Sequence, residues 1–380
     1  MEARLETRCG PGKPRRSGFD HRSTVQLASS LLHGELDPIM PHRIAINGFG
    51  RVGRMVLRQA FDRPDIDVVA VNDLARVETL ANLLERDSVH GHWDAEVRME
   101  GGVIVITRGG IERHVTVLSE PRPEALPWVD HRIDTVVEST GRFRTSEGMV
   151  KHLSAGARRV LLSAPARSEI DATIVRGVND ADLHPGARLI SAASCTTNCL
   201  APIVKILDEA FGIERGLLTT VHAYTNDQAV LDLPHHDLRR ARAAAINIVP
   251  TSTGAARSVT GVYPRLAGKL DGVALRVPVA CGSVCDFTFT STTDLDRDAI
   301  DQAVAAAAAG PMAGIVEFSD APLVSQDIIG RTASAVFDGP LTQLIGARMA
   351  KVFAWYDNEW AYSARVVDLL ERLAGLPAPA

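Results

Sequence analysis

Residues 43–54 have the sequence RIAINGFGRVGR. Its first five residues are typical of an apolar strand, and Gly48, Gly50 and Gly53 form the pattern Gly-x-Gly-x-x-Gly before a predicted helix. A second apolar run, residues 66–71, follows and ends at Asn72-Asp73. Strand, glycine turn, helix and strand make a βαβ unit of about thirty residues. The stretch therefore predicts a parallel, nucleotide-binding sheet.

The spacing of the glycines assigns each of them a task. Gly48 permits the tight turn, Gly50 lets a pyrophosphate approach the backbone, and Gly53 allows the helix to pack closely on the strand. Asp73 lies twenty residues beyond Gly53, where a carboxylate accepts hydrogen bonds from both ribose hydroxyls. Because a carboxylate repels a 2′-phosphate, the sequence predicts NAD rather than NADP. The alternative is a glycine turn in an α/β protein that binds no nucleotide.

The bulk composition describes a globular protein with room for two domains. The chain has 380 residues, of which 46% are hydrophobic and 23% charged, and a formal net charge of -5. This charge gives no electrostatic footprint for nucleic acid or an anionic membrane, and no run of 18 apolar residues predicts a membrane span. Five cysteines, an odd number, favour free thiols in a reducing compartment. We therefore expect a soluble, cytoplasmic protein with no metal site.

The order of apolar runs divides the chain. Residues 1–39 mix arginines with acids, Gly, Pro and Ser, and predict a disordered extension; a transit peptide or an upstream start site before Met40 are alternatives. Residues 40–194 alternate strands and helices, so we predict a Rossmann-type α/β domain for NAD, completed by a C-terminal helix within 361–380. Residues 195–360 predict a second, α+β catalytic domain on a mostly antiparallel sheet.

Cys195 lies in SCTTNC (Ser194–Cys199), just before a predicted helix at 196–211. Unpaired N–H groups and the helix dipole at such a position favour thiolate over thiol and lower the pKa of a cysteine. Cys195 is therefore a candidate nucleophile. The alternative is a small buried residue at a strand–helix junction.

Four motifs in order along the chain extend this interpretation. They are INGFGRVGR (Ile46–Arg54), SCTTNC, HAYTNDQ (His222–Gln228) and WYDNEW (Trp355–Trp360). Together they resemble the phosphorylating glyceraldehyde-3-phosphate dehydrogenase family over about residues 41–370. Several long motifs in the same order are far more specific than any one of them.

The resemblance implies a covalent mechanism on two residues. Cys195 would attack the aldehyde carbon of glyceraldehyde 3-phosphate to give a thiohemiacetal, and His222 would act as the general base. Hydride transfer to NAD would leave a thioester, which inorganic phosphate would cleave to an acyl phosphate. Taken without the cysteine motif, His222 at the end of a strand favours a structural histidine.

Two anion sites follow from the same resemblance. The substrate phosphate would be held by Thr225, Asp227 and Arg276, and the attacking phosphate by Ser194, Thr196, Arg240, Thr253 and Gly254. Hydroxyls, a backbone N–H and guanidinium groups suit a tetrahedral anion. An aspartate does not, so we expect Asp227 to position Arg240 or Arg276 rather than contact phosphate.

The resemblance also extends the cofactor site and implies an assembly. Asn358 would hold the nicotinamide carboxamide with Tyr362 behind it, and the remaining cofactor residues would be Arg51, Val52, Thr140 and Gly141. Leu233-Pro234 matches a loop near the adenosine ribose of a neighbouring subunit, which implies a homotetramer. The chain departs from the family pattern at Ala361, Pro121 and Ala280-Cys281-Gly282; these departures bear on cofactor affinity and subunit packing rather than on the reaction.

Other functions remain open at this stage. A sister enzyme on the same fold acts on erythrose 4-phosphate and uses water in place of phosphate, but the loop Thr251–Ala256 favours an intact phosphate site. An arsenate-linked paralogue would have the same residues, because arsenate mimics phosphate. A non-catalytic scaffold protein of this fold is the alternative from another class, and retention of Cys195 and His222 argues against it.

Overall fold

The computed structural model describes residues 41–379. The predicted extension at residues 1–39 lies outside this range. Within the described part the chain forms two large sheets, each with its own hydrophobic core. The fold is the predicted α/β class.

The strands of the first half are β1 (His42–Asn47), β2 (Ile66–Asn72), β3 (Arg86–Asp87), β4 (Gly91–His92), β5 (Glu96–Glu100), β6 (Val103–Arg108), β7 (Ile111–Leu118), β8 (Thr135–Glu138), β9 (Arg159–Leu162), β10 (Ala172–Thr173) and β11 (Leu189–Ser191). Nine of them form one sheet in the order β10-β11-β9-β8-β1-β2-β7-β6-β5. Strands β10 to β7 in this order pair in parallel, and β6 and β5 extend the edge antiparallel. The small pair β3–β4 stands apart.

The helices are α1 (Arg51–Ala60), α2 (Val77–Glu85), α3 (Ser146–Ser154), α4 (Cys195–Phe211), α5 (Ala255–Val262), α6 (Arg297–Ala309) and α7 (Trp360–Ala374). The helix predicted at 196–211 begins one residue earlier, because the Ser194 hydroxyl accepts from the N–H of Thr197 and caps it. Strand β1 is buried on both faces between parallel neighbours, which explains its unbroken apolar sequence.

The second sheet is built from β12 (Ile213–Ala223), β13 (Val249–Ser252), β14 (Leu270–Val277), β15 (Ser283–Ser291), β16 (Val316–Ser319), β17 (Ala335–Asp338), β18 (Gln343–Ile345) and β19 (Met349–Tyr356). Its main path is β13-β14-β12-β15-β19-β17-β16, with β18 on β19. The pairs β12–β14 and β16–β17 are parallel and the others antiparallel. The sheet is therefore mostly antiparallel, as predicted.

Cys195 lies where the two cores meet. Its side chain packs against the core of the second sheet, around Leu200 and Phe287, and against the core of the first sheet, around Ile46 and Val366. The second of these cores includes apolar residues of α7, which packs on α1. The C-terminal helix thus closes the first sheet beside the cysteine. Among the described residues, no helix is long and apolar enough to span a membrane.

Candidate active site

The Cys195 thiol is presented by a sharp turn between β11 and α4. Ala193, in this turn, has φ +56°, a left-handed conformation that costs energy for a residue with a Cβ. The Tyr362 hydroxyl donates to the Ala193 carbonyl at 3.0 Å, and the Ala193 N–H donates to the Ser191 hydroxyl at 3.0 Å. These contacts hold the strained turn that aims the thiol. The sequence does not predict this strain, because a left-handed residue is usually glycine and position 193 is alanine.

His222 meets this thiol from the end of β12. Its Nε2 lies 3.5 Å from the Cys195 Sγ, and the imidazole is 5% exposed. The Nδ1 atom lies 2.6 Å from the Ala223 carbonyl oxygen. The two sheets therefore bring together a thiol and an imidazole with the geometry of a nucleophile and its base.

The protonation of this pair differs from the sequence-based expectation. We predicted that the helix start lowers the pKa of Cys195; instead burial raises it, and the Arg276 guanidinium and hydrogen bonds from Thr196 only partly offset the effect. Burial, followed by the positive charge of Arg276, lowers the pKa of His222 to about 3. Burial therefore opposes the lowering that we expected from the helix start. The imidazole is neutral near pH 7 and can accept a proton.

Arg276 reaches the same imidazole from β14. Its Nη1 lies 2.7 Å from the His222 Nδ1 and donates to the Ala223 carbonyl at 2.9 Å. Its buried Nε has no hydrogen-bond partner among the described residues. One face of this guanidinium is thus committed to the histidine, and a donor is left over for an anion.

Arg240 belongs to the second candidate anion site. It forms an ion pair with Asp227, and its Nε donates to the Thr251 hydroxyl at 2.9 Å. Thr251 in turn donates to the Asp237 carboxylate at 2.8 Å. Of the two arginines that Asp227 was expected to position, the structure pairs it with Arg240.

The hydroxyls predicted to bind phosphate have different placements. Ser194 caps α4, and Thr196 is 6% exposed with its hydroxyl 2.8 Å from that of Tyr356. The Thr253 hydroxyl accepts from the N–H of Ala255, and Gly254 is the residue before α5. Thr225 forms a turn in which its carbonyl accepts from Gln228. Ser194 and Thr196 therefore use their hydroxyls inside the protein, which the sequence did not predict.

A groove of about 260 Å³ opens at the carboxyl ends of β1 and β2. It is lined by Asn47, Gly48, Gly50, Asn72, Asp73, Leu74, Glu120, Pro121, Ser139, Thr140, Arg142 and Phe143. A Cβ at Gly48 would come within 2.6 Å of the Thr140 backbone nitrogen, whereas one at Gly50 would meet nothing within 4 Å. Open space above Gly50 is what a pyrophosphate lying on the backbone requires. The groove therefore fits a dinucleotide.

Asp73 is held rigidly at this groove. Its Oδ2 accepts from the N–H of Phe49 at 2.8 Å and its Oδ1 from the N–H of Ala75 at 3.0 Å. Each carboxylate oxygen keeps a further lone pair for a ribose hydroxyl. Gly53 is needed for packing, since a Cβ there would lie 2.4 Å from the Gly48 carbonyl oxygen.

The other predicted cofactor residues differ in which of their polar groups remain free for a ligand. Val52 is the second residue of α1, Thr140 donates its N–H to Glu138 at 2.8 Å, and Gly141 has φ +71°. Asn358 is 6% exposed and accepts from the Ser283 hydroxyl at 2.9 Å, which leaves its amide NH₂ for a ligand. The guanidinium of Arg51 is engaged with carboxylates, so only its backbone N–H remains for a cofactor.

These carboxylates belong to a buried network that the sequence did not reveal. His90 lies between Asp87 and Asp357, and the thiol of Cys281 donates to Asp357 at 3.1 Å. Potential ligand atoms of His90, Cys281 and Glu359 lie within 4.8 Å of one another. Because the Arg51 guanidinium already binds Glu359, we interpret this cluster of described residues as an ion-pair network. Cys281 is one of the departures from the family pattern.

Comparison with known proteins agrees with this geometry. Residues 42–146 match the model of the glyceraldehyde 3-phosphate dehydrogenase NAD binding domain, and residues 194–358 match that of its C-terminal domain. Glyceraldehyde-3-phosphate dehydrogenase of Geobacillus stearothermophilus is 52% identical over 336 residues, covering 88% of this chain and 99% of the relative. Glyceraldehyde-3-phosphate dehydrogenase 2 of Bacillus subtilis is 50% identical over 339 residues, covering 88% of this chain and 97% of the relative.

The two domain models match most of the chain. The glycine turn and the groove at the strand ends lie in the part that matches the NAD binding domain. The predicted family and the predicted cofactor, NAD, are therefore confirmed. The chain belongs to the glyceraldehyde-3-phosphate dehydrogenase family and is an NAD-dependent oxidoreductase.

Proposed function

We propose that this protein oxidises D-glyceraldehyde 3-phosphate and joins the product to inorganic phosphate, reversibly, as 1,3-bisphosphoglycerate in glycolysis and gluconeogenesis. The observation that carries the proposal is the 3.5 Å separation of the Cys195 Sγ and the His222 Nε2, with Arg276 on the far side of the imidazole. A thiol, a neutral base and an anion-binding guanidinium are what a phosphorylated aldehyde requires.

Cys195 and His222 carry the covalent steps. The thiol proton passes to the neutral imidazole as the sulfur attacks the aldehyde carbon, and the imidazolium then returns this proton to the carbonyl oxygen to give the thiohemiacetal hydroxyl. His222 takes the hydroxyl proton as the carbon is oxidised to a thioester. NAD, when bound, accepts the hydride. An oxygen of inorganic phosphate then attacks the thioester carbonyl, and the C–S bond breaks to release the acyl phosphate and regenerate Cys195.

Two arginines divide the anions between them. Arg276 and Thr225 hold the substrate phosphate, since Arg276 lies against the catalytic imidazole and has an unused donor. Arg240 holds the attacking phosphate with Thr253, the N–H of Gly254 and the backbone at the start of α4, at Ser194 and Thr196, whose hydroxyls are engaged within the protein. Asp227 acts by orienting Arg240, to which it is bound.

The NAD side of the site is formed by the groove residues. Arg51 and Val52 are the first two residues of α1, directly after Gly50. Their N–H groups bind the pyrophosphate, because the positive end of the helix dipole lies there. Asp73 binds the adenosine ribose. Thr140, Gly141 and the amide of Asn358 hold the nicotinamide end, and Tyr362 supports the turn that carries Cys195.

We further propose a homotetramer in the cytoplasm. The segment 230–248 exposes several large apolar side chains, with exposed fractions of 80% at Val230, 83% at Leu238 and 79% at Ile246. Exposed apolar residues concentrated in one segment mark a protein interface, and Leu233 belongs to it. The four described cysteines are free thiols, which suits a reducing compartment. The domain division at 40–194, 195–360 and the C-terminal helix is part of this proposal.

The test follows NADH absorbance with D-glyceraldehyde 3-phosphate, with and without inorganic phosphate. We expect turnover that requires phosphate, and a loss of roughly 10³-fold or more in Cys195→Ser, since a hydroxyl is a far weaker nucleophile. Cys199→Ser is the matched control, because Cys199 is buried one helical turn away and contacts the Ala354 carbonyl. Turnover without phosphate would contradict the phosphorylating reaction, and equal activity of Cys195→Ser would contradict the mechanism.

A further inference from the structure

Three polar atoms crowd together on the side of His222 that faces away from Cys195. The His222 Nδ1 lies 2.6 Å from the Ala223 carbonyl oxygen and 2.7 Å from the Arg276 Nη1. The Nη1 also lies 2.9 Å from the same carbonyl oxygen. All three separations are within hydrogen-bond range.

These contacts cannot all be favourable at once. If Nδ1 carries the proton, it donates to the Ala223 carbonyl. This N–H then faces a second donor, the Arg276 Nη1, at close range. If Nδ1 is bare, Arg276 donates to it, but two acceptors then face each other at Nδ1 and the carbonyl. Either arrangement of the neutral ring leaves one repulsive contact, and Arg276 is the group that can leave.

The two arrangements differ in what they offer to Cys195. With the proton on Nδ1, the Nε2 atom is bare and accepts a proton from the thiol or the thiohemiacetal. With Nδ1 bare, Nε2 carries the proton and cannot act as a base. Arg276 therefore opposes the competent tautomer for as long as it faces Nδ1.

We propose that Arg276 is a positioning residue that makes His222 a stronger base when a phosphate occupies the substrate site. This inference rests on the proposed function, because it takes the substrate phosphate to be the anion that Arg276 binds. A phosphate draws the guanidinium and its unpartnered Nε towards itself. The ring then carries its proton on Nδ1, and this N–H donates to the Ala223 carbonyl with no competing donor.

The charges around His222 favour the same conclusion. Arg276 and, less strongly, Arg240 lower the pKa of His222 beyond the effect of burial, and Asp227 is paired with Arg240 rather than with Arg276. From the remaining sides the ring faces the Cys195 thiol and, at 5.9 Å, the ring of Tyr356, with no carboxylate among its hydrogen-bond partners in residues 41–379. A phosphate dianion at Arg276 supplies the missing negative charge and makes the imidazole a stronger base.

The first test observes the ring nitrogens of His222 by NMR in full-length Cys195→Ser, which binds ligand without reacting. A His222→Asn spectrum assigns the signals. Saturation with glycerol 3-phosphate, an unreactive analogue, should move the ring towards the form with Nδ1 protonated and Nε2 bare, whereas glycerol should have no effect. Unchanged ring signals at saturating glycerol 3-phosphate would overturn the proposal.

The second test compares single-turnover NADH formation from glyceraldehyde 3-phosphate and from glyceraldehyde across pH. In the unmodified protein, the limb due to the base should lie about one pH unit higher with the phosphorylated substrate. In Arg276→Gln the two profiles should coincide. Arg215→Gln removes an equal charge from a 73% exposed side chain on β12, the strand that carries His222, and should keep the separation. A residue that only binds phosphate would alter KM and leave the glyceraldehyde profile of Arg276→Gln unchanged, which would contradict the coupling.

The two proposals fail in different ways. If the unmodified protein forms no NADH from glyceraldehyde 3-phosphate, the proposed function is wrong. If it forms NADH but the two pH profiles coincide in the unmodified protein, the function stands and the coupling through Arg276 is wrong.

Discussion

The Nε2 of His90 lies 3.0 Å from the Oδ2 of Asp357, a residue 267 positions later in the chain. His90 follows α2 on the side of the first sheet, and Asp357 directly follows the last strand of the second sheet, β19. Both side chains are at most 3% exposed. A buried ion pair therefore joins the two halves of the site, at the edge of the residues proposed to hold NAD.

This pair predicts a loss of stability in mild alkali. Burial disfavours the imidazolium, but hydrogen bonds to Asp357 and Asp87 outweigh it and raise the pKa of His90 from 6.5 to about 9. The stabilisation is therefore fully present below pH 6.5 and is lost as pH rises through about 9. We expect the free energy of unfolding of the unmodified protein to fall by about 3 kcal/mol over this interval.

The measurement is denaturant unfolding at several pH values. His90→Gln should be less stable near neutral pH and should lack this slope, because it carries no titrating imidazole. His92→Gln, at a side chain that is 59% exposed two residues away, should keep the slope. An unchanged slope in His90→Gln would contradict the assignment. In acid the stability should fall as the pH falls. Burial disfavours the Asp357 carboxylate, but hydrogen bonding and the charge of His90 outweigh it and lower the pKa of Asp357, so its protonation removes the stabilisation.

Two glycines of the cofactor turn should separate binding from folding. A Cβ at Gly50 meets no atom, so Gly50→Ala should leave the free energy of unfolding nearly unchanged while raising the Kd of NAD by roughly tenfold. A Cβ at Gly53 lies 2.4 Å from a backbone carbonyl, so Gly53→Ala should cost about 1–3 kcal/mol. Fluorescence titration with NAD and thermal unfolding test both. Equal destabilisation by the two substitutions would contradict this division.

Asp73 should set the choice between the two nicotinamide cofactors. Its oxygens are fixed by the N–H groups of Phe49 and Ala75, so its charge lies where the ribose binds. Asp73→Asn should lower the ratio of kcat/KM for NAD to that for NADP by at least about tenfold, because the repulsion of a 2′-phosphate is removed. Asp94→Asn, at an exposed position outside the groove, is the control for charge alone. A ratio that does not change would rule out this role.

Asp227 should affect inorganic phosphate more than the aldehyde substrate. Its ion pair with Arg240 orients that guanidinium, whereas Arg276 is held by His222 and Ala223. Asp227→Asn should raise the KM for phosphate by about tenfold with a smaller effect on the KM for glyceraldehyde 3-phosphate. Asp294→Asn breaks an exposed ion pair with Arg348 and should change neither. A larger effect on the aldehyde KM would assign Asp227 to the other anion.

Much of the architecture was predictable because its signals are local. The apolar run at β1, the spacing of Gly48, Gly50 and Gly53, and Asp73 after β2 define the βαβ unit without any distant contact. The helix α6 (Arg297–Ala309) likewise has local signals, because Asp296 caps its start and alanine favours its interior. The predicted strands at 43–47 and 66–71 each differ by one residue from β1 and β2, since pairing partners decide where a strand begins and ends.

The site depended more on distant contacts. The uses of the Ser194 and Thr196 hydroxyls, the strain at Ala193 and the pairing of Arg51 with Glu359 arise between elements far apart in sequence. The His90 network likewise has no local motif. The residue type indicates which chemistry a side chain can perform. The hydrogen-bond partners of that side chain in the folded protein determine whether it is available for a ligand.

The sequence by itself determined the cofactor turn, the position of Cys195 at a helix start and the family, because each is written in contiguous residues. The tertiary structure alone decided that His222 faces Cys195 at 3.5 Å, that Arg276 faces His222, and that burial raises the pKa of the thiol. The physical reason is that a protonation state depends on desolvation and on nearby charges, and both exist only once the two sheets have packed together.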